Sequence, residues 1–394
     1  MEWAVYIPKI VERPLMRTTK QLPFYLSLLI VFLLIPPSMS FGQQADDPLP
    51  ILHRGNAQRT GAYDVSALRE FNGVQWQRSI GRVAHASPLY ANGVLYISNI
   101  ESEFYAIVPT TGETLWRYEA IRNGFSAAAV ADGVVYIGSE DRKLLALDAA
   151  TGEEIWSFRT GAMIYTAPLI IGNAVYFGSG DGIFYAVDKD SGTEIWRYET
   201  GKRPLWPALS DGTTVYWVAE EGLYAADAVS GAITWQISGN SWWAPPALHD
   251  GVIYAGNADS HAYAIHAEDG SILWDFTGRG DDWSGPAIDN GIIFIGNKAN
   301  IFYALDAATG EQVWSFETED WTVADPIVTD EVVYFGVGNH DNIDGPRHLY
   351  ALDTATGEEI WSFQAEGRLL TAPAIAEDGT LYIATVTGML YALH

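Results

Sequence analysis

The stretch APLIIGNAVYFGSGDGIFYAVDKDSGTEIWRYE, residues 167–199, decides the fold. It holds four short apolar-alternating runs, APLII, AVYFGS, IFYAVD and TEIWRYE, separated by GN, GDG and KDSG. Alternation with a period of two, broken by Gly, Asn and Asp, predicts a meander of four antiparallel strands. Its closing motif recurs at FYAIVPTTGETLW (104–116), LLALDAATGEEIW (144–156), LYAADAVSGAITW (223–235), AYAIHAEDGSILW (262–274), FYALDAATGEQVW (302–314) and LYALDTATGEEIW (349–361). Trp76, Trp116, Trp156, Trp196, Trp235, Trp274, Trp314 and Trp361 follow one another at spacings of 40, 40, 40, 39, 39, 40 and 47 residues. A four-stranded sheet of this size cannot bury both faces alone, and radial stacking of such sheets covers them. No segment after residue 42 keeps a 3.6-residue period, so a helical solenoid is excluded.

The blade count follows from the two ends of the chain. Seven complete units run from Trp76 to Trp361, and the 33 residues after Trp361 supply only three strands. GVQWQRSIG (73–81) is an orphan fourth strand carrying Trp76. Joined, they make an eighth blade, so the expected fold is an all-β, eight-bladed propeller closed by its own two ends.

The rest of the composition narrows the class. Of 394 residues 48% are hydrophobic, enough for a large core. The net charge is −27, and removing residues 1–42 leaves −29, which repels nucleic acid and anionic lipid surfaces. The chain has no Cys, hence no disulfide, zinc-thiolate site, cysteine nucleophile or thioether lipid anchor. Arg17 and Lys20, an apolar run from Leu22 to Ile35, Pro36 and Pro37, then Ser38, Ser40 and Gly42 have the layout of a secretory signal. The apolar run of 14 residues is shorter than the ~20 that a spanning helix needs. Residues 1–42 are therefore read as a signal peptide, with Met16 an alternative start. Residues 43–72 are read as an N-terminal arm and 73–394 as the propeller, working as a monomer in the periplasm or outside the cell.

The repeat resembles the tryptophan-docking motif A-x-D-x-x-T-G-x-x-x-W of the pyrroloquinoline-quinone-like (PQQ-like) propeller family, with Ala146, Asp148, Thr151, Gly152 and Trp156 as one copy. Val108, His266 and Asp269 depart from it. HRGNAQRTG (53–61) resembles the arm preceding such propellers in exported proteins. The family has a catalytic branch, the quinoprotein dehydrogenases, which hold the quinone over calcium in the axial funnel. It also has a non-catalytic branch typified by the outer-membrane assembly factor BamB. The dehydrogenases carry long insertions and often adjacent cysteines, which this chain lacks. The resemblance therefore implies a non-enzymatic scaffold without a cofactor. A PQQ-dependent oxidoreductase with its site in the funnel is the alternative.

The connections between units hold the candidate site. Trp206, Trp242, Trp243, Trp283 and Trp321 are extra to the motif and come from consecutive connections, with Phe125 and Tyr165 in comparable places. In a meander these connections share a face with the turns between second and third strands, where the one long insertion, GNHDNIDGPRH (338–348), also falls. The rings either plug the funnel by packing on each other or stack on an envelope protein or extracellular polymer. Asp281, Asp282, Asp320 and Asp325 beside them read as solvated acidic loops. His340, Asp341, Asn342, Asp344 and His348 fit no liganding pattern, so no metal site is expected.

Overall fold

The structure is a computed structural model that describes residues 50–83, 86–120, 124–239, 244–281, 283–339 and 347–394. The leader, Trp242, Trp243, Asp282 and most of the 338–348 insertion lie outside these residues. The described chain forms eight separate four-stranded antiparallel sheets. Blades 1–7 span Leu89–Glu119, Ala129–Arg159, Leu169–Glu199, Leu209–Ser238, Ala247–Thr277, Ala287–Glu317 and Ile327–Gln364. Blade 8 combines Ala374–Ile375, Leu381–Ala384 and Met389–Leu393 with Val74–Ser79 from the other end of the chain. We letter the strands A to D from axis to periphery.

Local chemistry explains the elements. Several A–B turns use a pair of left-handed residues, as at Asn92 (φ 50°) and Gly93 (φ 75°), the geometry that matches strand twist across a two-residue hairpin. Strands A to C are buried almost throughout, whereas strand D alternates exposed and half-buried positions. Inner strands covered on both faces read as continuous apolar runs, and only the outermost keeps a wet side. Faces of neighbouring blades mesh through stacked rings, such as Phe184 on Trp217 (4.3 Å, 3°) and Phe302 on Phe335 (3.8 Å, 10°).

The docking tryptophans tie each blade to the next. Trp116 Nε1 donates to Ala149 O across the interface at 2.9 Å, and Trp76, Trp156, Trp196, Trp235, Trp274 and Trp314 repeat the bond. Gly152 (φ 75°) must be glycine twice over, because a Cβ there would lie 2.6 Å from the Trp116 ring. Asp148 Oδ1 accepts from the amides of Ala150 and Thr151 and from the Thr151 hydroxyl, shaping the turn.

In blade 8 strand D is Val74–Ser79 and strand C is Met389–Leu393, so no C–D turn joins them. The arm supplies a substitute: Leu68 O accepts from Trp361 Nε1 (2.7 Å), and Phe71 stacks on the same indole (5.2 Å, 24°). His394 and Gly73 then exchange backbone hydrogen bonds, and Val74–Ser79 pairs with Met389–Leu393.

Candidate functional site

The D–A connections and B–C turns lie on one face and are hydrogen-bonded together. Gly180 N donates to Met163 O, Glu220 N to Arg203 O, and Gly338 N to Trp321 O. The sequence expectation of a shared rim is met by this geometry, but the rings on that rim divide into two kinds.

Phe125 and Trp283 point inward. Trp283 is 3% exposed and sits between Phe276 and Tyr303, 6.3 and 5.7 Å away. A Cβ on Gly256 or Gly278 would come within 2.2 Å of its atoms, so both glycines exist to admit the indole. The same slot, over a glycine at the end of strand B, holds Ile164 against Gly138, Pro204 against Gly178 (one residue before the strand's last), Thr322 against Gly296 and Leu369 against Gly336. Phe125 bridges to Ser139 and packs on Phe104 at 5.9 Å.

Tyr165 and Trp321 are more open. Tyr165 is 46% exposed beside Met163, which is 39% exposed, and its hydroxyl meets the thioether at 2.8 Å. Trp321 is half-buried with Lys298 Nζ 4.7 Å from its ring centroid. Trp206 is half-buried against the blade 4–5 cluster around Leu209 and Leu248. Next to Tyr165 along the rim, Lys202 and Arg203 line a shallow groove of about 400 Å³ with Asp181 and Glu220. Their carboxylate neighbours are distant: Lys202 to Glu221 is 3.8 Å and Arg203 to Glu220 is 3.6 Å. Such exposed pairs hold weakly and leave the cations open to another partner.

Below the rim the axis is filled by the arm. It rises antiparallel to strand A of blade 2, where Ile51 and Val130 exchange backbone hydrogen bonds, and descends parallel to strand A of blade 7 at Ala62. Between these points Ala57 O, Gln58 O, Thr60 O and Gly61 O accept from Ser210, Leu248, Ile288 and Val328 of four different blades. Inner strand edges with free amides would otherwise be orphaned around a dry channel.

Two arginines anchor this plug. Arg59, fully buried, donates to Ala208 O (2.8 Å), His53 O (2.7 Å) and Pro168 O (3.1 Å). Burial and the neighbouring Arg54 charge pull its pKa down to about 9. Arg54 donates to Pro286 O, and its Nε lies 3.9 Å from Asp325 Oδ2. Burial pushes the Asp325 carboxyl upward, opposed by Arg54 and by the Gly285 amide, which donates to Oδ1 at 2.7 Å. Burial, Arg59 and Arg54 together hold His53 well below the ordinary imidazole value.

Asp320 and Asp325 are thus not solvated loop residues. Asp320 is 5% exposed and caps the Trp321 amide, while Asp325 faces the axis. The sequence reading missed them because connection residues alternate between rim and axis without any repeated signature. It also assigned no role to His53, Arg54 and Arg59; two arginines spaced among small residues in HRGNAQRTG were the available signal.

The family model for the outer membrane protein assembly factor BamB matches residues 109–210, 202–283 and 280–394. No curated protein matches in sequence. Among solved structures, BamB from Moraxella catarrhalis is similar with a TM-score of 0.66 at 18% identity, over 82% of this chain and 99% of that one. Quinohemoprotein alcohol dehydrogenase from Comamonas testosteroni is similar with a TM-score of 0.73 at 16% identity, over 87% and 80%. A europium-containing methanol dehydrogenase is similar with a TM-score of 0.73 at 14% identity, over 87% and 97%. At such identities these likenesses describe the fold.

Proposed function

The chain belongs to the family of the outer membrane protein assembly factor BamB, and from that premise we propose an exported, non-enzymatic scaffold that binds a protein of the outer-membrane assembly machinery through its D–A rim. One observation carries the reading. In a strongly acidic chain, two weakly paired cations on the connection between blades 3 and 4 neighbour an exposed tyrosine and methionine on the connection between blades 2 and 3. Aromatic and Met surface bordered by arginine is the composition of protein interfaces. The test is Tyr165→Ala with Arg203→Glu, used as bait in envelope extract beside the parent protein. We expect the double variant to melt as the parent does and to retain an assembly-machinery component at least tenfold more weakly. Equal retention by the two proteins removes this patch from the function.

The quinoprotein reading is supported by the fold likeness alone. Among the described rim rings, Trp283 and Phe125 are wedged between blades while Tyr165 and Trp321 are more open, and the axis beneath the rim is occupied by the chain's own arm. The residues present are a poor fit for a quinone held over a metal ion. Titrating the protein with the quinone and calcium should leave tryptophan fluorescence without a saturable change; saturable quenching at micromolar quinone favours the enzyme.

A further inference from the structure

The axial plug contains more positive charge than its protein partners neutralise. Arg54 and Arg59 are 2% and 0% exposed, and the carboxylate paired with them is Asp325. Arg59 is served by backbone carbonyls from two blades and the arm. Arg54 has one such acceptor, Pro286 O, on Nη2; its Nε and Nη1 are buried without any hydrogen-bond acceptor, and Asp325 reaches only within ion-pair distance of Nε. Both ring nitrogens of the adjoining His53 are likewise buried and without a partner. A guanidinium stays charged in proteins, and leaving its N–H groups dry and unmatched is costly. Water could accept from these groups but would leave the excess charge in place.

We infer that Arg54, with His53, forms an axial site for a small monovalent inorganic anion of halide size, enclosed between the arm and the inner strands. The donors are Arg54 Nε–H, Arg54 Nη1–H and an N–H of neutral His53. The anion balances the second arginine and locks the arm to the ring. Because the groups are sealed from solvent, the anion enters as the arm docks during folding and exchanges only when the arm leaves.

The test refolds the full chain from urea at one ionic strength, in sodium chloride, sodium bromide or sodium gluconate. The melting temperature should rise saturably with either halide and stay lower in gluconate. Crystals grown in bromide should show an anomalous peak within hydrogen-bond reach of Arg54. Arg54→Met should erase the halide dependence, and Arg54→Lys, which keeps the charge but not the fork, should need at least tenfold more halide. If Arg54→Met does not fold, the bromide crystal and the Arg54→Lys titration decide. Bromide absent from the axis, equal melting of the parent in halide and gluconate, or halide dependence that persists in Arg54→Met overturns the site.

Discussion

Trp283 and Trp196 look alike in composition and differ in origin. Trp196 belongs to the repeated motif, hydrogen-bonds to Ala228 O across the interface and remains half-buried. Trp283 stands outside the motif, a position that put it among the candidate rim residues. Its burial in the slot shared by Ile164, Pro204, Thr322 and Leu369 reverses that expectation. Trp283→Ala should destabilise by about 3–5 kcal/mol, as much as Trp196→Ala, since each empties a large aromatic site. Urea unfolding of both variants checks this; a loss below ~1 kcal/mol at Trp283 returns it to the rim. The docking residues were legible because their identity repeats at fixed spacing. The slot was not, because its occupants share only a position, and a sequence pattern does not register Trp, Ile, Pro, Thr and Leu as equivalents.

At the scale of elements, the C–D turns were readable as a motif, since Asp, Thr and Gly recur at fixed places in most copies, and the structure shows the hydrogen bonds that put each there. That chemistry has a pH signature. The amide and then the hydroxyl of Thr151 hold the Asp148 pKa below its ordinary value, and Thr309 does the same for Asp306. A carboxylate whose folded pKa is depressed contributes stability above its unfolded pKa and loses it as pH falls through the folded one. Asp325 runs the other way, its pKa being raised by burial, and relief of the chain's acidic self-repulsion on acidification also opposes the loss. The comparison must therefore be differential. Asp148→Ala should melt below the parent at pH 7, and the gap should shrink steadily once the pH falls below about 4. A gap unchanged between pH 7 and pH 3 would mean that the turn is held by Gly152 and Trp116 alone. The arm, by contrast, was legible only as a likeness. It is not a repeat, and its partners are backbone atoms of blades far along the chain, which leave no mark in a local sequence pattern.

For the whole molecule, the ring depends on one short N-terminal segment doing two jobs at two radii. Residues 51–61 fill the axis, bonded to inner strands of blades 2, 4, 5, 6 and 7. Residues 68–79 run outward, replace the missing turn of blade 8 and cover the edge of Met389–Leu393. These jobs fail differently. A chain beginning at Gly61 loses the plug, with the Arg59 bonds to Ala208 and Pro168, but keeps its outer closure. It should melt well below the parent and remain monomeric, because unpaired inner edges face a narrow axis that no second chain can enter. A chain beginning at Ile80 also strips the Met389–Leu393 edge, whose row of unpaired amides and carbonyls then lies on the periphery within reach of other molecules. It should self-associate as well as melt lower, and light scattering alongside thermal unfolding separates the two outcomes. Both truncations staying monomeric, with the second no less stable than the first, would show that Val74–Ser79 is not what closes the ring. Self-association of the first alone would place the vulnerable edge at the axis instead.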